Sequence, residues 1–238
     1  MPVDLRNQVV LVVGASSGIG RETAVQFARE GARVMAAARR EDRLQGLKKE
    51  FPAIETAVAD ATNAAQMEQL ARTTRERLGD IDIVVYNTGT NIKERALTRL
   101  NPEFWDMMVA TNLNGAYYVT HAVLPRMRER KSGYLIYVTS ISGAVPDISG
   151  AAYQASKRGM IGLAHAVRVE EKEHGIRTCA ILPGLVDTEI LEKRPVKPPP
   201  ETLAKALQPG DVAEAIVAVA KLPARCTVPE LQLLPTVL

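Results

Sequence analysis

Two groups of residues in this chain have the types and spacing for chemistry. Tyr153 and Lys157 stand four positions apart in Tyr153-Gln154-Ala155-Ser156-Lys157, a stretch free of proline from Ala151 onward, so a helix there carries both on one face. A phenol titrates at about pH 10, poorly matched to proton transfer at neutral pH, and an ammonium one turn away stabilises the phenolate. Such a pair suits a group that gives a proton to a carbonyl oxygen as hydride arrives, or takes one from an alcohol in reverse. An isolated pair of this kind is more often a surface feature of an amphipathic helix, so its meaning depends on its company.

That company is Gly14-Ala15-Ser16-Ser17-Gly18-Ile19-Gly20. It follows the continuously apolar run Val9 to Val13, as expected of a strand buried on both sheet faces, and opens a helical stretch from Arg21 to Glu30 that Gly31 ends. Glycines at such a turn let the backbone approach a pyrophosphate, whose charge free N–H groups and the helix dipole favour. The spacing is G-x-x-x-G-x-G rather than G-x-G-x-x-G.

These residues need a scaffold, and the rest of the chain supplies one. Strand-like runs at Val9 to Val13, Arg33 to Ala38, Ile54 to Ala59, Ile81 to Tyr86, Tyr134 to Thr139 and Ile176 to Leu182 alternate with helical patterns. The alternation predicts right-handed βαβ crossovers and an α/β, doubly wound parallel sheet of the Rossmann type, with a seventh strand at Glu230 to Leu234. Its ligand crevice lies beyond the carboxyl ends of the strands. Residues 185–208 break the alternation with Pro195, Pro198, Pro199 and Pro200, which reads as a substrate lid or as a rigid surface excursion.

Composition narrows the choices. The 238 residues, 46% apolar and 24% charged, predict a single domain over 1–238. A net charge of +3, with basic residues scattered among acidic ones, argues against nucleic acid as a partner. Cys179 and Cys226 lack metal-ligand or disulfide spacing, His121, His165 and His174 suggest no metal site, and no apolar run reaches membrane-spanning length. A soluble cytoplasmic protein without a metal is expected.

In motif order across almost its whole length, the chain resembles the short-chain dehydrogenase/reductase family. The glycine turn is similar to the family's T-G-x-x-x-G-x-G, with Val13 in place of the usual threonine, a departure that removes a side-chain hydrogen bond but keeps the glycines. Tyr86-Asn87-Thr88-Gly89 resembles N-N-A-G, keeping Asn87 and Gly89, and Pro183-Gly184-Leu185-Val186-Asp187-Thr188 resembles P-G-x-V-x-T. The resemblance implies that Asn87 braces the sheet and adenosine side, Asp60 contacts the adenine and Thr188 touches the nicotinamide carboxamide. It also implies that Lys157 holds the nicotinamide ribose, that Ser140, 13 residues before Tyr153, bonds the substrate oxygen, and that Asn112 holds a water for proton relay. Taken alone, Asp60 and Asn87 would read as helix or turn caps, Asn112 as a backbone brace, and Thr139 and Ser142 as rivals of Ser140. Asn114 is the runner-up to Asn112.

Cofactor choice follows from the end of the second strand. An NAD site places an acid there, whereas this chain reads Ala36-Ala37-Ala38-Arg39-Arg40. Arg39, helped by Arg40 and Ser16, is expected to bind the extra phosphate of NADP(H) unless both arginines merely pair with Glu41 and Asp42. Ser17 stands where many NADP-dependent relatives carry a second basic residue. The expected activity is interconversion of a carbonyl and an alcohol on a small ketone, aldehyde or hydroxy acid. The alternatives are a ketoacyl thioester reductase, although the tail lacks that group's glycine-rich segment, and an NADP(H)-sensing regulator without turnover. Lys193, Arg194 and Lys197 either meet a substrate carboxylate or form a solvated cluster. The helices around Glu103 to Arg130 and Ser156 to His174 are expected to pair across a two-fold axis in a homodimer or homotetramer.

Overall fold

The computed structural model describes residues 3–237. Seven strands form one parallel sheet: β1 (Val9–Val13), β2 (Arg33–Ala38), β3 (Glu55–Val58), β4 (Ile83–Tyr86), β5 (Gly133–Val138), β6 (Ile176–Pro183) and β7 (Glu230–Leu233). Their order across the sheet is β3-β2-β1-β4-β5-β6-β7. All six pairings are parallel.

The apolar strands have to be buried on both faces because successive side chains point to opposite sides of a sheet. In β1, Val10 and Val12 enter a core shared with Phe27 and Ile216, while Val9, Leu11 and Val13 enter the opposite one with Met67 and Val119. Helices therefore cover both faces. On one lie α1 (Gly18–Arg29), α2 (Glu41–Glu50) and α8 (Pro209–Ala220), and on the other α3 (Ala64–Leu78), α5 (Gly115–Arg130) and α6 (Ala151–Glu170). Two shorter helices, α4 (Pro102–Val109) and α7 (Pro200–Leu203), lie in connecting segments. β1 sits between β2 and β4, so chain direction across the sheet reverses there and opens the crevice in which ligands of such folds bind.

The expected strands are all present with ends shifted by a residue or two. β4 starts at Ile83, with Asp82 just before it bonded to both neighbouring strands: its N donates to Val9 O and its carbonyl accepts from Tyr134 N, both at 2.9 Å, while its carboxylate accepts from Val9 N at 2.9 Å. α1 begins at Gly18, earlier than the glycine-rich turn suggested, and Gly31 at φ +83 takes the left-handed position past its end. The predicted helix from Glu103 to Arg130 is three pieces, α4 and α5 joined by a π-helical turn over Ala110–Asn114. The predicted Ser156 to His174 helix begins earlier, at Ala151, and ends at Glu170.

Candidate active site

The glycine turn is fixed by close approach rather than by side chains. Gly14 has φ +93 and Gly18 φ +54, conformations that a side chain disfavours. A Cβ on Gly20 would lie 2.2 Å from the Gly14 carbonyl oxygen and 2.6 Å from Asn87 Nδ2. Asn87 Nδ2 itself donates to the Gly14 carbonyl at 3.2 Å, tying the segment after β4 to the turn after β1. The first-turn N–H groups of α1, which have no partner within a helix, open at Gly18 and Ile19 toward a cleft of about 620 Å³.

Tyr153, Lys157 and Ser140 meet at the other end of that cleft. α6 carries the first two on one face, as the spacing required, with Lys157 Nζ 5.8 Å from the centre of the Tyr153 ring. Lys157 is only 3% exposed and donates to the Val138 carbonyl at 3.0 Å. Burial pushes its pKa down to about 7. Burial also pushes the Tyr153 phenol above its ordinary value, against a lowering by the Ser140 hydroxyl and by the positive charges of Arg194 and Arg95.

Ser140 is separated from its rivals by hydrogen bonding. The Thr139 hydroxyl is committed to the Ile181 carbonyl at 2.8 Å, and that of Ser142 donates to Asp147. Ser140 Oγ accepts from Ser142 N at 3.2 Å and donates to Ser142 Oγ at 3.3 Å, and it also acts on the Tyr153 phenol.

Asn112 lies outside the cleft wall, fully buried in the π-helical turn. Its amide donates to Thr90 O at 3.1 Å and Ser156 Oγ at 3.0 Å, and its oxygen accepts from Thr90 N at 2.7 Å. The side chain therefore joins the segment after β4 to α6. Asp60 also stands back from the cleft, which Ala59 and Ala61 line. One of its oxygens accepts from Thr62 N at 2.9 Å, a turn-capping bond, and the other is 3.9 Å from Arg39. Gly89 approaches Lys157, since a Cβ there would be 3.1 Å from Nζ.

At the end of β2, Ala38 leaves room and both arginines line the cleft. Arg40 donates to Ser16 Oγ at 2.8 Å, to Ser17 Oγ and to Glu189 at 2.8 Å. Arg43 is 3.4 Å from the same glutamate. Arg39, 65% exposed, is the less committed of the two, with Asp60 as its acidic neighbour. Among the described residues, neither arginine pairs with Glu41 or Asp42.

Pro183, Gly184, Val186 and Thr188 follow β6 along the cleft wall, and Gly18 faces Thr188, where a Cβ would be 3.2 Å from Cγ2. The proline-rich segment beyond them is tied at both ends, Leu207 N donating to Leu185 O and Asp187 N to Leu207 O. Its first part lines the cleft as a 3₁₀ helix over Glu189–Lys193. Lys193 and Arg194 reach the cleft, whereas Lys197 is paired with Glu192. Arg95, which no periodicity or motif marks, lines the same end and donates to the Lys193 carbonyl at 2.9 Å. Glu189 is equally unmarked, because neither residue falls in a regular repeat.

A protein-family model described as short chain dehydrogenase matches residues 8–198. The chain belongs to the short-chain dehydrogenase/reductase family. An uncharacterised oxidoreductase of Staphylococcus saprophyticus is 33% identical over 98% of this chain and 99% of its own. Among solved structures, this family member resembles a serine dehydrogenase complexed with NADP+ (33% identity, 95% of this chain and 94% of that one, TM-score 0.87). It also resembles a single-site variant of the actinorhodin polyketide ketoreductase with NADPH (31% identity, 99% and 98%, TM-score 0.88). Among the described residues of this short-chain dehydrogenase/reductase, no helix is long and apolar enough to cross a membrane.

Lys157 makes the stability of the fold depend on pH. Above a pKa of about 7 the folded chain has released a proton that the unfolded chain keeps up to the ordinary value of 10.5. Stability therefore gains from this group as pH rises through that window, by at most about 1.4 kcal/mol per pH unit. In urea unfolding of the ligand-free protein between about pH 7 and 9, Lys157→Met is expected to flatten this rise. Parallel pH profiles for variant and parent would contradict a buried neutral lysine.

Proposed function

We propose that this chain is an NADP(H)-dependent oxidoreductase that interconverts a small carbonyl compound and its alcohol. The observation that carries the reading is the meeting of Tyr153, Ser140 and Lys157 in one cleft with a glycine turn whose geometry leaves room only for backbone. That cradle fits a dinucleotide, with the pyrophosphate against Gly14, Ser16, Ser17, Gly18 and Ile19, and Gly20 and Asn87 holding the turn behind it. Gly89, Pro183, Gly184, Val186 and Thr188 complete the wall for the nicotinamide half, with Asp60 acting on the adenine side through its turn. The cofactor, when bound, supplies or accepts the hydride.

In the oxidising direction the alcohol's C–H bond gives up hydride and its O–H bond gives up a proton, leaving a carbonyl, the reduced cofactor and the proton. Tyr153 takes that proton as phenolate and returns it in the reducing direction. Ser140 donates to the same substrate oxygen and keeps it beside the phenol. Lys157 favours the phenolate by its charge, and the phenolate in turn restores the charge that burial removes from Lys157. Asn112, braced against Thr90 and Ser156, would hold a water that relays the proton from Lys157.

NADP(H) is preferred because the second strand ends without a carboxylate and with Arg39 and Arg40 on the cleft. The complexes of similar proteins with NADP+ and NADPH support the same choice. Arg39→Ala is expected to weaken NADPH about tenfold while leaving NADH almost unchanged, since only the former carries a phosphate for the guanidinium. Steady-state turnover of a panel of small ketones, aldehydes and hydroxy acids with each cofactor measures both the effect and the activity. Equal losses for both cofactors would remove Arg39 from the phosphate site. Absence of turnover on every member of the panel would favour the sensing regulator. The free thiols of Cys179 and Cys226 are in keeping with a cytoplasmic site of action. The exposed Phe104, Trp105 and Met107 of α4 and Tyr117 of α5 support assembly into a homodimer or homotetramer through these helices.

A further inference from the structure

Arg95 is a cation buried without an anion. It is 8% exposed, its Nε has no hydrogen-bond partner, and its guanidinium makes one bond, to the Lys193 carbonyl at 2.9 Å. Among the described residues it has no ion pair, and neither have Lys193 and Arg194, which line the same end of the cleft. The nearest acid there, Asp147, is engaged by Ser142 and by Ser149 N at 2.8 Å and Oγ at 3.0 Å. Burying an unpaired charge is costly, and burial already works against the charged form of Arg95. The position is nevertheless built: a Cβ on Gly150 would be 2.8 Å from Arg95 Cβ, so the stem rests on the residue that leads into α6. Asn91 fixes the neighbouring turn by donating to Ser149 O at 3.1 Å. The unsatisfied cation thus stands close to the start of the helix that carries Tyr153.

We propose that the substrate bears a carboxylate and that Arg95, with Lys193 and Arg194 beside it, receives it. A guanidinium fork matches two coplanar oxygens, and Arg95 lines the same cleft as Ser140 and Tyr153. The substrate class is then a hydroxy acid and its oxo acid. The assignment rests on the oxidoreductase reading for its chemistry, but the anion site can be tested without turnover.

Calorimetric titration with malonate, malonamide and inorganic phosphate, in the presence of saturating NADP+, makes the test. The wild-type protein is expected to bind malonate in clear preference to malonamide and phosphate. Arg95→Met should weaken malonate about 10- to 100-fold and Arg95→Lys should recover part of the loss, with NADP+ affinity unchanged in both. Equal malonate affinity in wild type and Arg95→Met, no malonate binding, or malonamide binding as well as malonate would overturn the proposal. Tighter phosphate than malonate would overturn the carboxylate assignment. If Arg95→Met fails to fold, the contrast between malonate and malonamide on the wild type and on Arg95→Lys still decides. Failure of NADP+ to bind, with malonate still separating wild type from Arg95→Met, would sink the cofactor reading and leave the anion site standing.

Discussion

Tyr153→Phe is expected to lower turnover about 10²- to 10⁴-fold while leaving cofactor affinity unchanged, the range by which a positioned acid or base accelerates proton transfer. The substitution removes one oxygen and almost no volume from a side chain that lines the cleft beside Ser140 and Lys157. Nothing else in the neighbourhood can replace it: an unactivated serine hydroxyl is a poor acid, Thr139 is bonded to Ile181 O, and Lys157 faces Val138 O. The loss should appear in kcat and in kcat/KM together, because the proton is transferred in the transition state and not on binding. Turnover within a few-fold of wild type would remove Tyr153 from the chemistry. A matching loss of NADPH affinity would instead mean that the phenol serves to hold the cofactor.

Gly20→Ala carries the second large effect, on affinity and stability together. The added methyl would be 2.2 Å from the Gly14 carbonyl oxygen, and it would wedge into the bond between that oxygen and Asn87 Nδ2. Backbone on one side and a bound amide on the other leave no flexible atom to yield. A shift of the turn is the only relief, with a stability cost of about 1–3 kcal/mol. Loss of one charge-assisted hydrogen bond from the α1 N-terminus to a pyrophosphate should weaken NADPH about 10- to 100-fold. Gly46→Ala in α2 is the control, since a Cβ there meets nothing within 4 Å and alanine favours a helix. Urea unfolding and fluorescence titration with NADPH measure both consequences. A Gly20→Ala protein that bound NADPH as tightly as the Gly46→Ala control would contradict the close-packed turn.

The fold was legible where one physical pattern repeats. A strand covered on both faces must be apolar throughout, so β1 and β5 stand out from their neighbours, and the glycine turn after β1 marks where the chain enters α1. The cleft residues near strand ends were legible for the same reason. The π-helical turn at Ala110–Asn114 was not, because one i→i+5 turn within a longer helical stretch leaves no distinct signal in residue type. Asp60 and Asn112 occupy the expected places in the chain, and the bonds they make, to Thr62 and to Thr90 and Ser156, come from folding and are not visible in residue type. Arg95 and Glu189 were invisible because each gains its meaning from segments far apart in the chain, Arg95 from Lys193 and Glu189 from Arg40. Lys193 and Arg194, which in sequence read more readily as a solvated cluster, reach the cleft, while Lys197 goes to Glu192.

The Arg40–Glu189 pair joins the end of β2 to the segment that follows β6 along the cleft. A phosphate arriving at Arg40 would compete with Glu189 for the guanidinium, which ties the cofactor's extra charge to the position of that segment.

Calorimetric titration of the purified protein with NADPH and with NADH tests the central claim most directly. Both are expected to bind at one site per chain, NADPH about tenfold or more tightly through the cations at the end of β2. Tighter NADH, or no binding of either cofactor, would contradict an NADP(H) site in this cleft.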